Sequence, residues 1–162
     1  MATGYRLLGW AAGFGACLAL WLAVSPSSPG ASAPRFVKLH VTAVRASQEG
    51  EESIDPQLGE LGPKLQKKYK AKRLEVIGEQ TYSATSHIEL ITQIGDDMQL
   101  KVAWGGANSK GIADFTITVT RAKQAIIPST HLKIKLNDMA LLEGRLDKDA
   151  LILVMTAQGD DQ

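Results

Sequence analysis

From Val37 onward, apolar and polar residues alternate with a period of two, the pattern of strands that bury one face. Val37, Leu39, Val41 and Ala43 alternate with Lys38, His40 and Thr42. Leu74 and Val76 flank Glu75 in a second strand that runs on towards Tyr82. Ile88 and Leu90 mark a third, and Met98, Leu100, Val102 and Trp104 a fourth, with Asp96-Asp97 between them as a tight turn. Ala113, Phe115, Ile117 and Val119 alternate with Asp114, Thr116, Thr118 and Thr120; Leu132, Ile134 and Leu136 alternate with Lys133 and Lys135. Asn137-Asp138 turns the chain into Met139 to Leu146, and Asp147 to Asp149 turns it again. The last strand, "ALILVMTA" from Ala150 to Ala157, is apolar on both faces and is expected in the middle of a sheet, covered on each side. Neighbouring strands joined by short polar turns pair antiparallel, so the pattern predicts an α+β, mainly β domain: an antiparallel sheet or two-layer β-sandwich.

One helix breaks the series. Asp55 before Pro56 is an N-cap followed by proline at the first helical position. Leu58, Leu61 and Leu65, then Lys68 or Tyr69, recur at helical spacing. Pro63 is expected to kink or break this helix by removing the bond to the Gly59 carbonyl. The prediction is a short, bent helix lying on one sheet face.

Ahead of the strands, Leu7 to Val24 holds eighteen uncharged residues. Arg6 precedes them and a Ser/Pro/Gly/Ala stretch follows, the layout of a secretory signal. Cleavage after Gly30 or Ser32 keeps small residues at the key positions and avoids a cut before Pro34. As a helix the run reaches roughly 27 Å, which also suits an uncleaved anchor through residues 7–24. A buried core helix fits poorly, since the run is apolar on every face. The organisation expected is a signal or single-pass anchor with linker over 1–33, a β-rich domain over 34–157 and a flexible tail over 158–162. Either fate of the segment places the domain in the periplasm or cell envelope, attached to the inner membrane if the segment stays.

Cys17 is the only cysteine. Phe14 upstream and the apolar Leu18 to Val24 downstream argue against lipid attachment there and for an ordinary small residue in the apolar run. The domain after Pro34 has no cysteine, which excludes disulfides, thiolate metal sites and thiol redox chemistry from it. Of 18 basic residues only Arg6 precedes residue 34, and all 17 acidic residues follow it, so the domain is charge-balanced. No net field draws it to nucleic acid or to anionic lipid.

His40, His87 and His131 share no metal-ligand spacing, and strand histidines on solvated faces are the simpler reading. Gly105 to Gly111 is glycine-rich and holds Lys110. It joins strand to strand and lacks the order GxxxxGK[ST], so a hairpin loop explains it better than a phosphate cradle. No serine lies in GxSxG or SxxK. The sequence therefore assigns no catalytic, cofactor or metal residue and no cofactor. A hydrolase site assembled from loops stays open as an alternative, provided a histidine meets an acid or nucleophile in a deep pocket.

The densest feature is Lys64, Lys67, Lys68, Lys70, Lys72 and Arg73, six cations in ten residues at the end of the helix. Such a patch suits a polyanion or anionic surface. A plain solvated face explains it too, with Glu49, Glu51, Glu52, Asp55 and Glu60 upstream to neutralise it.

Ile54-Asp55-Pro56, the leucines Leu58, Leu61 and Leu65, then Tyr69, Leu74 and the apolar strand Leu151 to Met155 resemble an uncharacterised family of small exported bacterial proteins. The resemblance spans most of 36–156. It implies export and a β-rich fold with one helix, and it carries no catalytic residues. The expectation is an exported, non-enzymatic envelope protein with a binding or assembly role, recruiting an envelope protein partner through exposed strand edges.

Overall fold

The computed structural model describes residues 36–84, 89–95 and 97–159. The signal or anchor segment, Cys17, His87, Ile88 and Asp96 lie outside them. In chain order the elements are β1 (Val37–Ser47), β2 (Ser53–Ile54), a 3-10 turn (Pro56–Leu58), α1 (Leu61–Tyr69), β3 (Arg73–Ala84), β4 (Glu89–Ile94), β5 (Met98–Ala107), β6 (Ile112–Arg121), β7 (Gln124–Lys135), β8 (Met139–Leu146) and β9 (Asp149–Gly159). The strands form a five-stranded sheet, β2-β3-β1-β9-β8, and a four-stranded meander, β4-β5-β6-β7. Pairing is antiparallel except for the two residues of β2 beside β3. The domain is mostly strand with one α-helix among the described residues, as the alternation predicts.

Two cores share the five-stranded sheet. Its inner face packs on the meander through Val37, Leu39, Val41, Leu151, Leu153 and Met155 against Leu100, Phe115, Ile117 and Val119, all essentially without solvent exposure. Its outer face is covered over one half only, where Leu58, Leu65 and Ala71 sit on Val44, Ala46, Leu74, Ile152 and Val154. β9 thus buries both faces between β1 and β8, which is why "ALILVMTA" carries no polar alternation. The strand continues through Gly159, opposite Val37, so two residues read as tail belong to the sheet. Residues 160–162 lie outside the described part.

β3 holds a register irregularity that alternation alone does not reveal. Ala43 pairs with Gly78 and Val44 with Val76, leaving Ile77 as an extra residue. An inserted residue reverses the side-chain parity beyond it. Leu74 therefore lies under α1 while Tyr82, also at an even position, points between the sheets. The Tyr82 side chain is 5 % exposed, its hydroxyl lacks a well-formed hydrogen bond, and burial raises its pKa above the usual 10.0 against a smaller opposing effect of Thr92. A phenol that ionises later in the folded state stabilises fully below pH 10 and loses that contribution as pH climbs through the raised value. Tyr82→Phe is expected to be neutral or stabilising at pH 7, since it removes an unsatisfied buried hydroxyl. In denaturant titrations at rising pH, the variant should lose less stability above pH 10 than the parent; a stability loss of the same size in both would contradict this.

The helix starts where a break, not a kink, separates it from the 3-10 turn. Asp55 caps that turn by accepting from the Gln57 amide at 3.0 Å, and its other oxygen accepts from Val76 N–H at 3.2 Å. Gly59, at φ 46°, then ends the turn. Pro63 falls in the first turn of α1, where its missing N–H has no helical partner to lose. Burying Leu65 against the sheet contributes about 2 kcal/mol. The chain leaves α1 through Lys70 in the left-handed conformation, φ 51°, with its N–H on the Gln66 carbonyl.

β7 is longer than the pattern implies. It begins at Gln124, directly after the two-residue turn Ala122-Lys123, both at positive φ, and places His131 inside the strand. Pro128 fits because β7 edges its sheet and the pairing with β6 slips there, between Ile117–Thr130 and Val119–Ile127. Across the corner of the sandwich, Gly144 of β8 lets β7 come close. A Cβ there would stand 2.6 Å from the Ile127 side chain and 2.9 Å from the Ile126 carbonyl. Gly144→Ala is therefore expected to cost about 1–3 kcal/mol in chemical denaturation, by overpacking against backbone. An unchanged midpoint would show that the corner gives way freely.

Candidate basic face and adjoining cleft

The six cations of the basic run are all exposed. Lys64, Lys67 and Lys68 are exposed on α1, Lys67 on the side away from the buried Leu65 and Lys68 flanking the leucine stripe; Lys70, Lys72 and Arg73 follow the chain into β3. Only Arg73 makes an ion pair, with Glu75 at 3.4 Å. The five lysines have none among the described residues. Lys68 Nζ lies 5.2 Å above the centre of the Tyr69 ring, a cation–π contact. Lysines three and four apart on a helix repel by a few tenths of a kcal/mol per pair, partly offset where they face the negative helix C-terminus.

None of the acids expected to neutralise this face forms an ion pair with it among the described residues, although Glu52 is bonded to α1 itself. Glu49 reaches Lys148 at 3.8 Å, Glu52 accepts from Gln66 at 3.0 Å, and Asp55 is held by two backbone amides. Glu51 and Glu60 form no ion pair with the run among the described residues. With Glu75 on Arg73 and Glu52 bonded to the neutral Gln66 amide beside the lysines, the face keeps an excess of positive charge although the domain as a whole is neutral.

Between the end of α1 and the β8–β9 hairpin lies a cleft of about 460 Å³. Tyr69 forms one wall; Ala46, Gly144 and Ala150 lie along it as small residues, and Glu143, Arg145, Lys148 and Asp149 carry its charges. Glu143, Arg145 and Asp149 have no ion-pair partner among the described residues. Arg145 Nε donates only a long bond of 3.4 Å to the Asp147 carbonyl. At the neighbouring end of the sandwich, Arg121 bridges the sheets by binding Asp97 at 2.5 Å and Asp147 at 2.6 Å. Those bonds, Asp97 first, push its pKa still higher, so it is a fixed cation that joins two hairpins.

No family model, curated protein or solved structure matches this chain.

Two histidines do meet acids and hydroxyls. His40 Nε2 lies 2.8 Å from Glu79 Oε1 and its Nδ1 3.0 Å from Thr81 Oγ1. His131 Nε2 lies 2.9 Å from Asp114 Oδ1 and its Nδ1 3.5 Å from Thr116 Oγ1. Both arrangements are cross-strand contacts on the solvated outer faces of the two sheets, with the His40 and His131 side chains 40 % and 63 % exposed. No group of three or more His, Cys, Asp or Glu is placed to hold a metal among the described residues.

The glycine-rich loop folds on itself. β5 continues through Ala107, and Asn108 Oδ1 accepts from the Lys110 and Ile112 amides, each at 3.0 Å. Amides that a phosphate would require are already bonded within the turn. Among the described residues no helix is long and apolar enough to cross a membrane.

Proposed function

We propose that this chain is a non-enzymatic binding module of the cell envelope that engages anionic polymers or anionic surfaces through the outer side of α1. The observation that carries the reading is the set of five exposed lysines, Lys64, Lys67, Lys68, Lys70 and Lys72, along α1 and the segment that leaves it, without ion-pair partners among the described residues of a charge-balanced domain. A like-charge cluster of this kind weakens the helix slightly and gains nothing in packing, so its benefit lies in a partner. Export rests on the uncharged run from Leu7 to Val24, which would deliver or tether the domain outside the cytoplasm, where acidic glycans and lipid headgroups meet it.

Enzymatic hydrolysis draws less support. The His40 and His131 pairs have hydrogen-bond geometry, but they stand on open sheet faces where water competes with any substrate. Recruitment of an envelope protein by strand addition draws its support from β4, an edge strand with Ile91 62 % exposed.

Retention on a dextran sulfate resin tests the main reading. The domain should bind at low ionic strength and elute steadily as salt is raised, because exposed charges are screened within about 10 Å at 0.1 M. Passage without retention in low salt would refute it.

A further inference from the structure

We propose that the cleft between α1 and the β8–β9 hairpin binds an acidic sugar, a single ring carrying one carboxylate within a longer polysaccharide. The proposal rests on the basic-face reading and adds to it the chemical class of the polymer. A volume of about 460 Å³ lies within the span of about 300–1,000 Å³ found for small-molecule sites. The chemistry of the lining separates a sugar from a bare anion.

Arg145 supplies the cation without an ion-pair partner among the described residues, beside Lys148, which lies 3.8 Å from Glu49. Glu143 and Asp149 line the same space. A compact phosphate or sulfate would suffer repulsion from those two carboxylates. A sugar ring satisfies all the groups together: its carboxylate takes the Arg145 fork, and its hydroxyls donate to Glu143 and Asp149. The Tyr69 ring gives an apolar wall for the C–H face of the sugar. The small side chains of Ala46 and Ala150 leave the room the ring occupies. Glu143, Arg145 and Asp149 share one cleft with no ion pair among the described residues, and Arg145 commits only its Nε, to the Asp147 carbonyl, so the two carboxylates and the terminal guanidinium nitrogens are open to a ligand. The lysines of α1 attract the polymer; the cleft reads its repeating unit.

The test is calorimetric titration of the full chain with trigalacturonic acid and, separately, with inorganic polyphosphate. Glu143→Gln and Arg145→Gln are exposed substitutions that leave both cores intact. Each should weaken trigalacturonate binding about tenfold, as the loss of a hydrogen bond involving a charged group implies. Polyphosphate binding should be unchanged by Glu143→Gln. Trigalacturonate affinity unaffected by either substitution would overturn the cleft assignment while leaving the lysine face standing, provided polyphosphate still binds. Failure of the unmodified chain to bind either ligand would overturn both.

Discussion

Phe115→Ala is expected to lower the unfolding free energy by about 3–5 kcal/mol, enough to threaten folding in a domain whose total stability is of the order of 5–15 kcal/mol. Phe115 is 1 % exposed at the centre of the inter-sheet core. Its ring stands 5.0 Å from that of Trp104, tilted by 50°, in an interior where Tyr82 is the other aromatic and the remaining side chains are aliphatic or methionine. Alanine would remove both the buried surface and the aromatic contact, leaving a void between two sheets that strands on either side hold apart. Ile91→Ala provides the comparison: Ile91 also lies in a strand, but on the solvated side of an edge, and its replacement should shift stability by no more than about 0.5 kcal/mol. Urea denaturation of both variants separates the cases. Similar midpoints would mean that the core is not where the two sheets meet.

The second large effect concerns binding. The triple substitution Lys67→Glu, Lys68→Glu and Lys70→Glu is expected to reduce affinity for an anionic polymer about a hundredfold or more at low ionic strength, since each cation near a negative surface contributes on the order of a factor of five. The same substitution leaves the Leu58, Leu65 and Ala71 contacts untouched, so circular dichroism should remain that of the parent. Lys133→Glu with Lys135→Glu, a change of four units of charge on β7 of the opposite sheet, should matter far less to affinity. Equal losses from the two sets would mean that net charge alone governs attraction and that the α1 face has no special place.

What was legible in the sequence follows from which forces act locally. β1 as far as Ala43, β5 and β6 show in the pattern because each buries one face over that stretch, and β9 because it buries both. The first part of β7 is hidden because its turn, Ala122-Lys123, adopts positive φ without the Asn or Gly that usually announces it, and because Pro128 sits at a slip in the pairing. The reversal at Ile77 escapes alternation for the same reason: a bulge is specified by two strands together. Asp55 and Pro56 are readable as a cap, yet the break belongs to Gly59, whose positive φ ends the 3-10 turn before α1 begins.

The basic run is contiguous and so visible in the chain. That its lysines are unpaired is not, because the outcome depends on where Glu49 and Glu52 are carried: to Lys148, almost a hundred residues on, and to Gln66. The cleft was invisible for a stronger reason. Tyr69, Glu143, Arg145 and Asp149 come from α1, β8 and β9, and only β1 lying between β3 and β9 brings them together.

Backbone amide shifts, followed by NMR while dextran sulfate is added at low ionic strength, locate the contact residue by residue. The largest changes should gather at 64–73, spread to the neighbouring hairpin around Arg145 and Lys148, and fade as salt is added. Changes concentrated on the four-stranded sheet, or none at all, would contradict the assignment of the α1 face as the surface through which this domain works.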